Sequence, residues 1–257
     1  MAIDLKTISQ LRDQTGAGIA DCKKALEEAD GDIVKAVEVL RKRGEIKAAK
    51  KSDRATKEGV IALAKADNKI AAVAVACETD FVAKNEDFVS TVNDFATKLL
   101  TMNKEEFKSW AEGVIKNELV VKIGENLILA ESAVVEGSVL GSYLHFNKKA
   151  AAIVSLDGGS QELANDIAMH ATAMSPKWIR PEEVPVEIVE KEKEIYRELL
   201  KQEGKPEQIW DKILVGKLAK FYEDNCLLNQ IFVKDDTKKI SDLLNGADIK
   251  EYIKFQI

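Results

Sequence analysis

The chain has 257 residues, 46% of them hydrophobic, enough for one large core or two to three smaller ones and too many for a mainly disordered protein. No stretch approaches the ~18 uncharged apolar residues of a membrane span, and the first ten residues carry Asp4 and Lys6 where a signal peptide would be apolar, so a soluble, unexported, cytoplasmic protein with no membrane partner is expected. A net charge of −6 speaks against nucleic-acid binding by the chain as a whole, and Cys22, Cys77 and Cys226 lie too far apart for a disulfide framework or a zinc site.

In chain order, three apolar sets recur at helical spacing: Leu5, Ile8, Leu11; Cys22, Ala25, Leu26, Ala29; and Ile33, Val34, Val37, Leu40. They predict three short helices punctuated by Gly16, Gly18 and Gly31, with Asp21 and Asp32 placed to cap the second and third. So small a module has a small core and leans on a neighbour or a partner. From Arg41 to Lys57 follow eight Lys and Arg residues among alanines, without aromatics for base stacking. A solvated helical linker is the plain reading, and a surface for phosphates or an acidic partner is the alternative.

From Gly59 the period changes to two. Val60, Ile61, Leu63 form one strand, Asp67 and Asn68 turn the chain, and Ile70 to Ala76 returns it as a hairpin. Phe88, Val92, Phe95 and Leu99 predict a helix to about Leu100, a second helix spans Lys104 to Lys116, and Leu119 to Ala130 reads as strand interrupted at Gly124. Gly137 to Met174 repeats the strand-and-helix order: Ala151, Ala152, Ile153 match Ala71, Ala72, Val73 at a displacement of 80, and Asn165 to Ala168 match Asn93 to Ala96 at 72. An internal duplication would leave eight additional residues near Thr79 to Glu86 in the first copy. Two unrelated units sharing alanine-rich patterns is the alternative.

After Pro176, Pro181 and Pro185, the sets Ile188, Ile195, Leu199 and Ile209, Ile213, Leu214, Phe221 flank Gly204, Lys205, Pro206. This predicts an antiparallel helical hairpin projecting as a two-helix coiled coil. Leu227 to Val233 and Ile249 to Phe255 read as final strands with a short helix near Ser241 between them. The fold class is therefore α+β with antiparallel sheets.

Conventional catalytic parts are missing from the pattern: there is no phosphate-binding glycine loop, no dinucleotide fingerprint and no nucleophile elbow. His145 and His170 stand apart from each other and from any cysteine, and His170, among Ala168, Met169 and Ala171, reads as a packed structural histidine. The segment of most interest is Cys77 to Asn85, a charged, aromatic-bearing junction between strand and helix. Glu78 and Asp80 alternate in it and do not form a carboxylate pair, while Thr79 or Asp80 stands where a helix start needs a cap. Phe81 is either a buried staple on the following helix or an exposed apolar plug.

Taken together, the motifs resemble the elongation factor Ts family. They are Leu11, Arg12, Thr15 to Gly18 and Asp21 to Leu26; Thr79 to Asn85; Lys122 to Asn126; Gly141 to Tyr143 and His145; and Met174 to Pro176. The resemblance implies a nucleotide exchange factor rather than an enzyme, with no cofactor, no metal and no nucleotide bound by the chain itself, and with the GTPase elongation factor Tu as partner. It implies a ubiquitin-associated-like module and basic linker at 1–54, a first core half at 55–136, a second at 137–180 completed by 227–257, and the coiled-coil hairpin at 181–226. By the same resemblance Thr79, Asp80, Phe81 and Val82 disturb the partner's magnesium site, with Phe81 as wedge. Ile123 and Gly124 brace a partner helix, and Arg12, Ile19 and Lys23 engage the nucleotide domain. His145 lies in the half that meets another partner domain.

Several positions depart from the family pattern: Ile19 and Ala20 stand where methionines are common, Ile231 where a proline is common, and Phe146 where a glycine is expected. The sequence ends at Ile257, where longer members continue with a helical module. Two rival readings are a ubiquitin-associated-like binding module on an α+β scaffold and a hydrolase using Glu78, Asp80 or His145. A homodimer contact through the coiled coil or the core stays open.

Overall fold

The computed structural model describes residues 3–257. The chain forms two compact units, one holding the residues up to Val134 with Leu144–Ala150 and Phe255–Ile257, the other Val135–Tyr143 and Ala151–Lys254. Among the described residues no helix is long and apolar enough to cross a membrane.

The first unit begins with α1 (Leu5–Thr15), α2 (Ile19–Glu28) and α3 (Ile33–Lys51), packed around Leu11, Cys22, Leu26, Ala36 and Leu40. Asp4 caps α1 by accepting from the Thr7 N–H at 2.7 Å, and Asp32 caps α3, as its spacing predicts. Asp21 is not a cap: α2 starts earlier, after the extended Gly18, and the Asp21 carboxylate instead receives Lys47 Nζ at 2.9 Å. The third helix is longer than the apolar set suggests, because the alanine-rich basic stretch is a good helix former and carries it on to Lys51. One face of that stretch is packed rather than solvated. Gly44 lies so close to the carbonyl of Lys116 that a Cβ there would sit 2.8 Å from it, and Arg43 pairs with Glu28 at 2.6 Å.

The hairpin β1 (Glu58–Ala66) and β2 (Lys69–Cys77) pairs from Glu58 opposite Cys77 to Ala66 opposite Lys69. A one-turn helix α4 (Asp80–Ala83) precedes α5 (Glu86–Leu99) and α6 (Lys104–Val114). Phe88, Phe95 and Phe107 fill the core under the sheet, with Phe95 and Phe107 edge to face at 6.4 Å. The predicted strand over Leu119 to Ala130 is mostly helix: a wide π turn over Ile115–Leu119 leads into α7 (Val120–Ile123), and strand β3 (Ile128–Glu136) starts only after it. Ile115, Leu119 and Val120 are buried at helical spacing, and Gly124 ends the helix in the left-handed region, φ 84°. β3 completes the order β1-β2-β3.

The second unit is built on β4 (Val139–Leu144), β5 (Ala150–Asp157) and a late strand, with α8 (Gln161–Met174) packed through Ala164, Ile167, Ala168 and Ala171. Only residues 158–160 connect β5 to α8, whereas 78–85 connect β2 to α5. α9 (Val186–Gln202) and α10 (Trp210–Asn225) pack against each other as the predicted hairpin, turning at Gly204, φ 67°. The predicted strand over Leu227 to Val233 shrinks to β6 (Ile231–Phe232), paired with β7 (Asp235–Lys239), because Leu227–Asn229 forms a turn and Gln230 is buried by its polar side chain's bonds. α11 (Ile240–Leu243) precedes β8 (Asp248–Gln256), which joins the order β4-β5-β8.

His170 is fully buried in α8, as its neighbours predict. Its Nε2–H donates to Gln230 Oε1 at 3.0 Å and its Nδ1 accepts the Val233 N–H at 3.3 Å, an arrangement only the neutral ring satisfies. Burial lowers its pKa below the ordinary 6.5. The unfolded chain then takes up a proton that the folded one refuses, so stability is held above about 6.5 and lost as pH falls from there through the folded pKa. The urea midpoint is expected to fall between about pH 7 and pH 5, and His170→Gln to flatten that part of the slope.

Candidate functional site

The end of β2 sets the site. Strand pairing stops at Cys77, so the N–H groups of Glu78 and Thr79 lie beyond the ladder and need other acceptors. Glu125 supplies them: its Oε2 accepts from the Glu78 N–H at 3.0 Å and the Thr79 N–H at 3.1 Å, and its Oε1 accepts from the Thr79 hydroxyl at 2.6 Å. The contact is reciprocal, because Glu78 Oε1 accepts the Asn126 N–H at 2.6 Å. Asn126, 4% exposed, donates its amide to the Arg54 carbonyl at 2.9 Å, while Arg54 reaches Glu78 at 3.4 Å. Lys51 Nζ donates to the Gly124 carbonyl. Three separate loops, 52–54, 78–79 and 124–126, are thereby tied together.

On this base Thr79 caps α4 by accepting the Val82 N–H at 3.5 Å, and Asn85 caps α5 by accepting the Phe88 N–H at 3.0 Å. One helical turn between two caps sorts its side chains. Val82 and Ala83 pack on the core while Phe81 is left 82% exposed, so of the two readings of Phe81 the exposed one holds. Asp80 receives Lys84 Nζ at 2.6 Å, and that bond holds its carboxyl below the usual carboxylate range. Glu78 and Asp80 thus serve different partners and do not form an acid–base pair. Cys77, its thiol pushed up to about 12 chiefly by burial, is no nucleophile.

Phe81 borders two concavities. On one side it shares an open cavity of ≈ 310 Å³ with Val82, Leu119, Lys122 and Ile123. On the other it lines a wider cleft of ≈ 950 Å³ with Asp80, Lys84, Phe146 and Lys148. The turn carrying His145 and Phe146 therefore lies in the same unit as Phe81, fixed there by the Ile61 N–H donating to the Lys148 carbonyl at 2.8 Å. Phe146 is 86% exposed and its ring lies 4.5 Å from that of half-buried His145.

Arg12, Ile19 and Lys23 are exposed around the turn between α1 and α2, where Lys23 pairs loosely with Glu27 at 3.8 Å. Phe81 stands on another element, α4, and one side chain bridges the two regions. The Lys122 stem passes close enough to Gly16 that a Cβ there would lie 3.0 Å away, and its Nζ reaches Asp87 at 3.0 Å. The structure thus brings Thr79, Asp80, Phe81, Val82 and Ile123 together and puts Gly124 at the clamp. The other predicted residues lie further along the same unit.

Sequence reasoning gives no role to Glu125 or Asn126, although both stand in a motif of the family resemblance. A polar pair wedged between a helix-ending glycine and an apolar strand is the signal that marks them. Phe146 stands out in the sequence only as a departure from the family pattern, and its exposure beside the cleft is new.

The sequence model of the family described as Elongation factor TS matches residues 78–257. Among known proteins, the elongation factor Ts of Hydrogenobaculum sp. (strain Y04AAS1) is 42% identical over 100% of this chain and 99% of its own length. That of Deinococcus deserti is 40% identical over 98% of the chain and 99% of its own length, and that of Hahella chejuensis is 39% identical over 100% and 92%. Identity at this level over nearly the whole of both chains, together with a family model that matches well over half of this one, makes the chain a member of the elongation factor Ts family.

Proposed function

We propose that the chain is the guanine nucleotide exchange factor of elongation factor Tu. It binds the GTPase carrying GDP, disturbs its magnesium and phosphate site through Thr79, Asp80, Phe81 and Val82, and promotes GDP release so that GTP can bind. Ile123 and Gly124 brace the neighbouring partner helix, Arg12, Ile19 and Lys23 engage the nucleotide domain, and His145 makes a further contact. The chain contributes no cofactor, binds no nucleotide itself and works in the cytoplasm, where translation runs.

The observation that carries this reading beyond family membership is Phe81: a large aromatic, 82% exposed, on a short helix fixed by caps and an acidic clamp. An exposed aromatic on so well-determined a base suits insertion into a partner. Weakening a nanomolar nucleotide complex a thousandfold takes about 4 kcal/mol. One buried aromatic supplies ~1.5–3 kcal/mol, so the other contacts share the load.

Exchange is reciprocal: the factor by which the chain weakens GDP is the factor by which GDP weakens the chain. The test is to measure both. Stopped-flow release of fluorescent GDP from elongation factor Tu is expected to accelerate strongly on adding the chain, and titrating GDP is expected to dissociate the complex by the same coupling factor. Unchanged release from an active partner would reject exchange.

A further inference from the structure

We infer that Glu125 is the positioning residue of the 79–82 segment, fixing how Phe81 is presented without being a contact itself; this rests on the exchange reading above. The hydroxyl of Thr79 has one proton and two lone pairs. A carboxylate can only accept, so the Thr79 hydroxyl donates its hydrogen bond to Glu125 Oε1, at 2.6 Å, which leaves the lone pairs of Thr79 to receive the Val82 N–H. The acidic residue thereby sets the direction of the cap. A single turn such as α4 is too short to hold itself, so its orientation depends on that cap and on Val82 and Ala83 beneath it.

The same carboxylate also fixes the backbone that feeds the turn. Its Oε2 holds both N–H groups just beyond the last ladder pair, Glu58 opposite Cys77. The backbone of Glu125's neighbour, Asn126, is in turn held by Glu78 at 2.6 Å. Two chain segments 46 residues apart therefore grip each other by crossed side-chain-to-backbone bonds. Rotating the 78–79 peptides would break three bonds to one carboxylate, and it is these peptides that aim α4.

Isosteric Glu125→Gln keeps one acceptor oxygen but puts an NH2 where the second acceptor stood, so one set of donors loses its partner. Exchange acceleration is expected to fall about tenfold in the otherwise unaltered chain. In a Phe81→Ala background the same change is expected to cost less than about twofold, because a residue acting through Phe81 has nothing left to position. Hydrogen exchange at the Glu78 and Thr79 amides is expected to quicken, with the melting transition preserved. Should Glu125→Gln fail to fold, Glu125→Asp, which keeps both acceptor oxygens but draws them back by one methylene from the Glu78 and Thr79 donors, enters the same cycle.

Equal losses in both backgrounds would overturn positioning, since they describe a separate contact or a general loss of stability. So would an undiminished rate despite faster amide exchange. An unaltered chain that leaves GDP release unchanged rejects the exchange reading and this inference together, and that outcome is distinct from the other two.

Discussion

Phe81→Ala is expected to cut the acceleration of GDP release by roughly 10- to 150-fold, the equivalent of the ~1.5–3 kcal/mol that burying one aromatic side chain in a partner contributes. Its own fold should hardly notice. Phe81 is 82% exposed and α4 is seated by Val82 and Ala83, so the unfolding free energy should change by less than about 0.5 kcal/mol. Stopped-flow release and urea unfolding on the same preparation separate the two effects. Val82→Ala is the contrasting variant, because a half-buried side chain packed on the core moves stability and exchange together. Full acceleration by Phe81→Ala would shift attention across the ≈ 950 Å³ cleft to Phe146, the other exposed aromatic lining it.

The contrast between what the sequence announces and what it withholds follows from how local each signal is. The hairpin at Asp67 and Asn68 and the helix bearing Phe88, Val92, Phe95 and Leu99 show their period within a few residues, and they stand as predicted. Leu119 to Ile123 does not, because a short apolar run fits strand and helix equally until its packing partners are known. Here the π turn before it keeps Ile115, Leu119 and Val120 on the buried side. Leu227 to Gln230 misleads in the same way: its apolar look is local, while the bonds of Gln230 to His170 and to the Asp224 carbonyl are not.

The site is legible in its residues but not in its geometry. That Thr79 or Asp80 caps a helix start can be read from type and position alone, and the structure gives the cap to Thr79. Whether Phe81 turns in or out cannot, since that depends on which of its neighbours in a one-turn helix finds the core, and Val82 and Ala83 do. Glu125 is harder still, as its three donors lie before α4 while it follows α7, with four helices between, and no spacing rule links them. By resemblance His145 belongs to the second core half; the turn that carries it packs on β1.

Gly141→Ala is expected to be the most damaging single methyl in the second unit, lowering stability by about 3 kcal/mol or preventing folding. A Cβ at Gly141 in β4 would fall on the carbonyl of Ala164 and against the Asn165 N–H in α8, and backbone cannot step aside as a side-chain tip can. The approach is held from both sides. The Ser142 N–H donates to Asn165 Oδ1 at 3.1 Å, and the Gln161 amide donates to the Leu140 carbonyl, so withdrawing the helix would break bonds as well as open the core around Ile167 and Ala168. Gly113 in α6 and Gly216 in α10 give the opposite expectation. A Cβ at either meets nothing within 4 Å, and alanine in a helix interior is favoured over glycine by about 0.5–1 kcal/mol, so both substitutions should raise the urea midpoint. Three glycine-to-alanine variants measured side by side thus separate close approach from backbone entropy. Equal small changes at all three positions would mean that β4 and α8 do not meet as closely as the Gly141 contact requires.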